Sequence, residues 1–117
     1  MVNASKELEE KLFKIYGRGY ESKILAAEIR YNVDVFESKH IDLPVVSEPH
    51  SLEQVHYFLD SLDFSYNDGF GLKELYGTVW FKDGTWLERA EYDGSEWWVY
   101  KKAPQIPNRL YEYYTQG

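Results

Sequence analysis

The sequence predicts an α+β domain. Its antiparallel sheet has about four strands, a three-strand meander plus one long strand. Two helices pack on one face, and a short C-terminal helix follows. Three observations carry this expectation. Residues 76–102 read as three strands joined by two Asp-Gly turns, and they hold all four tryptophans. Residues 23–36 alternate apolar and polar with period two. Residues 5–16 and 51–62 place apolar side chains at helical spacing.

The first helix spans roughly 5–16. Asn3 or Ser5 can cap it, and Glu7, Glu9 and Glu10 sit where the helix dipole favours acids. Leu8, Leu12, Ile15 and Tyr16 share its apolar face, and Gly17 and Gly19 end it. In the long strand Lys23–Phe36, Leu25, Ala27, Ile29, Tyr31, Val33 and Val35 form one face, with Ala26, Glu28, Arg30, Asn32 and Asp34 on the other. Pro44 and Pro49 mark a connection with a short edge strand at Leu43–Val46. Ser51 and Gln54 make a capping box for the second helix. Leu52, Val55, Leu59 and Leu62 form its buried stripe, flanked by Tyr57 and Phe58. Tyr66–Gly71 is a turn-rich loop.

In the meander, Asp83-Gly84 predicts a two-residue type I′ loop. That pairs Phe81 with Trp86 and Trp80 with Leu87. Val79, Phe81 and Trp86 then share one face, and Thr78, Trp80, Leu87 and Arg89 the other. At Asp93-Gly94 a two-residue loop sets Glu91 against Glu96, an unfavourable like-charge pair. A four-residue loop, Asp93–Glu96, is preferred because it sets Glu88 against Lys101. Pro104 and Pro107 stop the third strand, and Asn108–Tyr114 supplies the short terminal helix.

At 117 residues the chain suits a single domain, 1–117, with a core of its own. It has no cysteine, hence no disulfide framework and no thiolate metal site. The N-terminal stretch is charged, without an apolar signal core, and no apolar run approaches the ~20 residues that span a bilayer. A net charge of −7 argues against direct nucleic-acid binding and against anionic membrane surfaces.

Two surfaces are candidates for binding. From His40 through Leu72 there is no Lys or Arg, but there are Asp42, Glu48, Glu53, Asp60, Asp63 and Asp68. Residues 53, 60 and 63, with His56 between them, fall on one helix face, separated by about 10 Å and about 5 Å along the axis. Such an acidic face can imitate nucleic acid and occupy the basic groove of a partner protein; equally, acids on a helix can be a solvated face. The second surface is aromatic: Trp80, Arg89, Trp97 and Trp98. Neighbours on a strand face opposite ways, so one of Trp97 and Trp98 faces away from the core. It is either covered by a further layer or exposed as a recognition surface, where Trp, Tyr and Arg are enriched.

No residue pattern announces a reaction. His50 and His56 lack the i, i+4 spacing of a helical metal pair, and neither Gly17-x-Gly19 nor Gly69-x-Gly71 extends to a phosphate-binding loop. Neither a cofactor nor a metal is expected. Glu88, Glu91 and Glu96 leave a carboxylate-based hydrolase as a third alternative.

The segment Gly77–Pro107, with Trp80–Trp86 as a W-F-x-D-G-[ST]-W hairpin and Tyr92–Trp98 as a Y-D-G-S-E-W-W turn, resembles stretches of small uncharacterised proteins of tailed bacteriophages. The resemblance covers about a quarter of the chain and carries no functional residues with it. It implies an accessory protein acting in the bacterial cytoplasm. The expectation is a non-catalytic interaction protein that binds and inhibits a host or defence protein with a basic surface. The alternative is a module that binds a nucleotide-like or sugar-like molecule on the aromatic sheet face. An exposed aromatic face or an unpaired edge, Lys23–Phe36, would allow a twofold homodimer.

Overall fold

The computed structural model describes residues 1–32, 38–42, 51–69 and 74–110. Strand β1 (Val2–Asn3) leads into helix α1 (Ala4–Tyr16), and a 3₁₀ turn at Tyr20–Lys23 feeds β2 (Ile24–Asn32). Then come β3 (Ser38–Asp42), α2 (Leu52–Ser61), β4 (Ser65–Tyr66), β5 (Leu75–Phe81), β6 (Trp86–Tyr92) and β7 (Ser95–Lys101). The sheet order is β3-β2-β5-β6-β7, antiparallel throughout, and β1 pairs separately with β4. A short helix starts at Asn108, closed by a bond from Leu110 N–H to the Pro107 carbonyl. The class is α+β, as the sequence predicts.

The helices begin where local chemistry places them. Asn3 caps α1 by accepting from Lys6 N–H, and Ser51 and Gln54 close a reciprocal capping box on α2. Leu8 and Leu12 of α1, and Val55, Phe58 and Leu59 of α2, join one core. Its sheet side is Ile24, Ala27, Ile29, Leu75, Val79, Phe81, Leu87 and Trp98. Leu52, expected in the α2 stripe, is 58% exposed, and Phe58 takes the buried place.

The long strand is not an edge. β2 is hydrogen-bonded on both sides, to β3 and β5, and the outer place is taken by Ser38–Asp42. The expected edge strand at Leu43–Val46 lies outside the described residues, as do Val33 and Val35. A register shift between Ile24 and Ala26 bulges Leu25 outward and carries Ile24 into the core.

Both hairpins of the meander depart from expectation, in opposite senses. The first pairs Trp80 with Trp86, Val79 with Leu87 and Thr78 with Glu88. Its loop has three residues: Gly84 N–H bonds the Phe81 carbonyl, Phe81 N–H bonds the Thr85 carbonyl, and Gly84 stands at φ 88°. This is a type I turn followed by a left-handed glycine rather than type I′. Asp83 favours it by accepting from both the backbone N–H and the hydroxyl of Thr85. The gain is in packing. The one-residue shift brings Val79, Phe81 and Leu87 to the same side. The second hairpin has the two-residue loop, with Asp93 at φ 52° and Gly94 at φ 85°, so Glu91 does stand opposite Glu96.

Candidate functional site

The two registers together decide what each face of the sheet presents. On the helix-covered face, Arg89 of β6 lies opposite Trp98 of β7, and both are buried, 7% and 4% exposed. The Arg89 guanidinium meets Glu96 at 2.7 Å, Glu7 of α1 at 2.9 Å, the Tyr66 hydroxyl at 2.8 Å and the Leu75 carbonyl at 3.3 Å. It also stacks between the rings of Tyr66 and Trp98, 5.5 and 5.0 Å from their centroids. Glu96 spends its remaining acceptor capacity on the backbone N–H groups of Glu74 and Leu75. The like-charge contact with Glu91 is therefore outweighed: Glu96 is turned inward onto a cation and two amides, while Glu91 stays exposed.

Burial alone would lower the pKa of Arg89. The Glu96 hydrogen bond, with Tyr66 and Glu7, instead holds it above its ordinary value. Burial, and then the hydrogen bond donated to Glu7, raises Tyr66 above the usual phenol range. This cluster ties α1, β4, β6 and β7 together. Arg89, Glu96 and Tyr66 each find partners within the fold, so the cluster is a structural tie between these elements.

The outward face is different. Trp80 and Trp86 sit directly opposite each other across β5 and β6, and Trp97 lies one strand further, opposite Ala90. Trp80 is 39% exposed, Trp97 42% and Tyr76 38%, while Trp86 is half-buried. Trp86 Nε1–H donates to Glu88 at 3.0 Å, and Lys101 bridges the same carboxylate at 3.0 Å. Glu28 and Arg30 of β2 extend this face with mixed charge.

The structure thus divides the predicted aromatic set. Trp80 and Trp97 stand on the outer face, whereas Arg89 and Trp98 are buried on the other and are unavailable to a ligand there. The division follows from the one-residue shift at the first hairpin, which moves Arg89 to the side opposite Trp80. Trp86 and Tyr76, not singled out in the sequence, join the outer face.

The predicted acidic set is placed in part. Glu53, His56 and Asp60 are exposed on α2. Asp63 lies beyond the helix end and accepts a hydrogen bond from Asn3 Nδ2 at 2.8 Å. Asp42 closes the edge strand β3, opposite Glu28 in the register, and Glu48 lies outside the described residues. Of the carboxylates offered for hydrolysis, Glu88 stands on the outer side of the sheet and Glu96 is buried on the inner, where the exposed Glu91 is its cross-strand neighbour. No group of three or more metal-ligating side chains converges among the described residues. No helix among them is long and apolar enough to cross a membrane.

Beside β7, the flank of α1 forms a groove of about 330 Å³ lined by Glu7, Glu10, Lys11, Lys14, Trp97 and Trp98. No protein-family model, no curated protein and no solved structure matches this chain.

Proposed function

We propose that this protein is a non-catalytic binding protein that recognises a protein partner through the outer face of its sheet. One observation carries the reading. Tyr76, Trp80 and Trp97 remain more than one-third exposed on a strand-built face, outside the core that the helices cover. Half-exposed indoles on a rigid sheet lose little conformational freedom on binding, and such residues dominate interface energies. A protein suits this face better than a small molecule. The indoles lie on adjacent strands of a sheet rather than around a concavity, and small ligands are held in concave sites. The flanking Glu28, Arg30, Glu88 and Lys101 would form a mixed-charge rim. The resemblance of the hairpin segment to bacteriophage proteins makes a bacterial host protein the partner to look for, with inhibition as the consequence of binding.

The test is affinity capture from bacterial lysate with the parent chain and two surface variants of equal thermal stability. A stoichiometric partner lost with Trp80→Ala/Trp97→Ala and kept by Glu53→Lys/Asp60→Lys supports the reading. The reverse pattern moves the site to the acidic side of α2 and favours a basic, nucleic-acid-binding partner. Tryptophan fluorescence that responds to a nucleotide or a sugar, with no protein captured, replaces the proposal with the small-ligand alternative.

A further inference from the structure

Among the described residues, one edge of the sheet lacks the usual protection along most of its length. β7 is the last strand in the sheet order. Backbone groups along a strand alternate between the two neighbours. Glu96 N–H points away from β6, since it bonds the Asp68 carbonyl at 2.8 Å. By the same alternation, the N–H and C=O of Trp98 and Tyr100 also point outward. No hydrogen bond to them is seen among the described residues. The Trp98 indole N–H, at the same edge, is buried without an acceptor among the described residues. Sheet edges are ordinarily blunted by charge, proline or a bulge. β3 at the other edge reads Ser-Lys-His-Ile-Asp, largely polar, but β7 presents Trp-Trp-Val-Tyr at residues 97–100.

We infer that β7 pairs antiparallel with β7 of a second copy of this chain, about a twofold axis through Val99 and normal to the sheet. Three features select a second copy over an unrelated strand. First, the register is self-complementary. The Asp68 carbonyl already occupies Glu96 N–H, so the groups left open among the described residues are those of Trp98 and Tyr100. A twofold at Val99 sets Trp98 against the partner's Tyr100 and Tyr100 against the partner's Trp98, each pair exchanging both backbone hydrogen bonds. Second, the axis runs the two α1 helices antiparallel on the same side of the joined sheet. The groove-facing flank of α1 reads Glu7, Glu10, then Lys11, Lys14, acidic in its first half and basic in its second. Antiparallel copies therefore bring Glu10 to the partner's Lys11 and Lys14, and the reverse. Glu7 remains with Arg89. Third, the two grooves face each other and close into one interface, covering Trp98 and one side of each Trp97. The net charge of −7 on each copy opposes association. The backbone bonds and the reciprocal ion pairs offset it locally. The joined sheet makes the outer aromatic face continuous across both copies.

The test is sedimentation equilibrium over the soluble concentration range, with three sets of variants at exposed or half-buried positions. The parent chain is expected to dimerise. Val99→Lys keeps its ladder bonds to β6 and faces Glu88 in its own sheet, but it sets two like charges opposite each other at the axis. It should weaken the dimer by up to roughly five-fold. Glu10→Lys and Lys14→Glu should each weaken self-association a few-fold, while a mixture of the two should form a heterodimer more readily than either forms a homodimer. The double swap Glu10→Lys/Lys14→Glu should restore the dimer. A parent chain that stays monomeric overturns the inference. So does a dimer indifferent to Val99→Lys and to the α1 charge reversals, since its interface must then lie elsewhere. None of these readouts depends on a captured partner, so the outer-face proposal and this one fail separately.

Discussion

The two faces of the β5–β6–β7 meander invert the usual division of residues. The face under the helices holds an arginine and a glutamate, while the face turned outward holds three of the four tryptophans. Composition cannot explain this, because the same strands supply both sets. Register can: side chains alternate, so a one-residue slip exchanges the two faces completely. The inner face tolerates its charges because each finds a partner. Arg89 reaches Glu7, Tyr66 and Glu96, which come from three separate segments of the chain. On the outer face the indoles stand in register across the strands, Trp80 opposite Trp86, and Trp86 is hydrogen-bonded to Glu88. Paired charge and apolar packing thus share the inner face that this register creates, and the indoles are what it leaves outside.

The strongest way to break this comparison is to remove the buried cation. Arg89→Met keeps the volume but strands Glu96 and Glu7 beside a low-dielectric core. Breaking a buried pair from one side costs about 3–5 kcal/mol. Urea denaturation should show that loss, while Trp97→Ala on the outer face should cost no more than about 1 kcal/mol. An Arg89→Met chain as stable as the parent would mean that the cluster does not hold the meander in register, and apolar packing of Val79, Phe81 and Leu87 would have to do so alone.

The same contrast explains what was legible in the sequence. Helix ends were readable because capping is local: Asn3 with Lys6, and Ser51 with Gln54, lie three residues apart. The existence of each meander strand was readable from period-two alternation and the Asp-Gly turns. Loop length was not. Asp83-Gly84 and Asp93-Gly94 look alike, yet one sits in a three-residue loop and the other in a two-residue loop. What separates them lies far away in sequence. Tyr16 at the end of α1 donates to Asp83 at 2.7 Å, and Glu7 lies 82 residues from Arg89. A signal was nevertheless present. A lone arginine in strand β6 with a glutamate seven residues on, both in apolar surroundings, fits a buried pair as well as a ligand contact. The like-charge argument at Glu91 and Glu96 assumed that both faced solvent; only Glu91 does. β4 went unseen because two residues carry no periodicity, although Tyr66 within it is fully buried.

A second, smaller perturbation tests how closely the inner face is packed against its neighbour strand. Gly77 of β5 pairs with Ile29 of β2, and a Cβ there would stand 2.5 Å from the Glu28 carbonyl oxygen and 2.9 Å from Ile29 Cγ1. The first of these is backbone and cannot rotate away. Gly77→Ala should therefore cost about 1–3 kcal/mol by forcing the strands apart. Alanine at Gly69, where nothing lies within 4 Å, supplies the contrasting open site. Equal stability for the two variants would show that the β2–β5 ladder yields more easily than its geometry implies.

The smallest expected effect sharpens the comparison by proton release. Tyr66 is buried and hydrogen-bonded to Glu7, and both raise its pKa above the ordinary value near 10. Below pH 10 the phenol is neutral in folded and unfolded chains alike, and its contribution is complete. As pH rises above 10, the unfolded chain releases the proton and the folded chain retains it. The unfolded state then binds fewer protons, so stability falls, by at most about 1.4 kcal/mol per pH unit for this one group. Tyr66→Phe should lower stability at neutral pH by about 1 kcal/mol through the lost hydroxyl contacts. It should also flatten the decline above pH 10. The check is a denaturation series between pH 8 and about 11.5, with the phenolate band followed by absorbance. If the slope survives in Tyr66→Phe, the alkaline sensitivity belongs to the other tyrosines whose pKa burial raises, Tyr16, Tyr20 and Tyr31. The inner-face cluster would then be indifferent to the phenol's proton, and would rest on Arg89 and its two carboxylates.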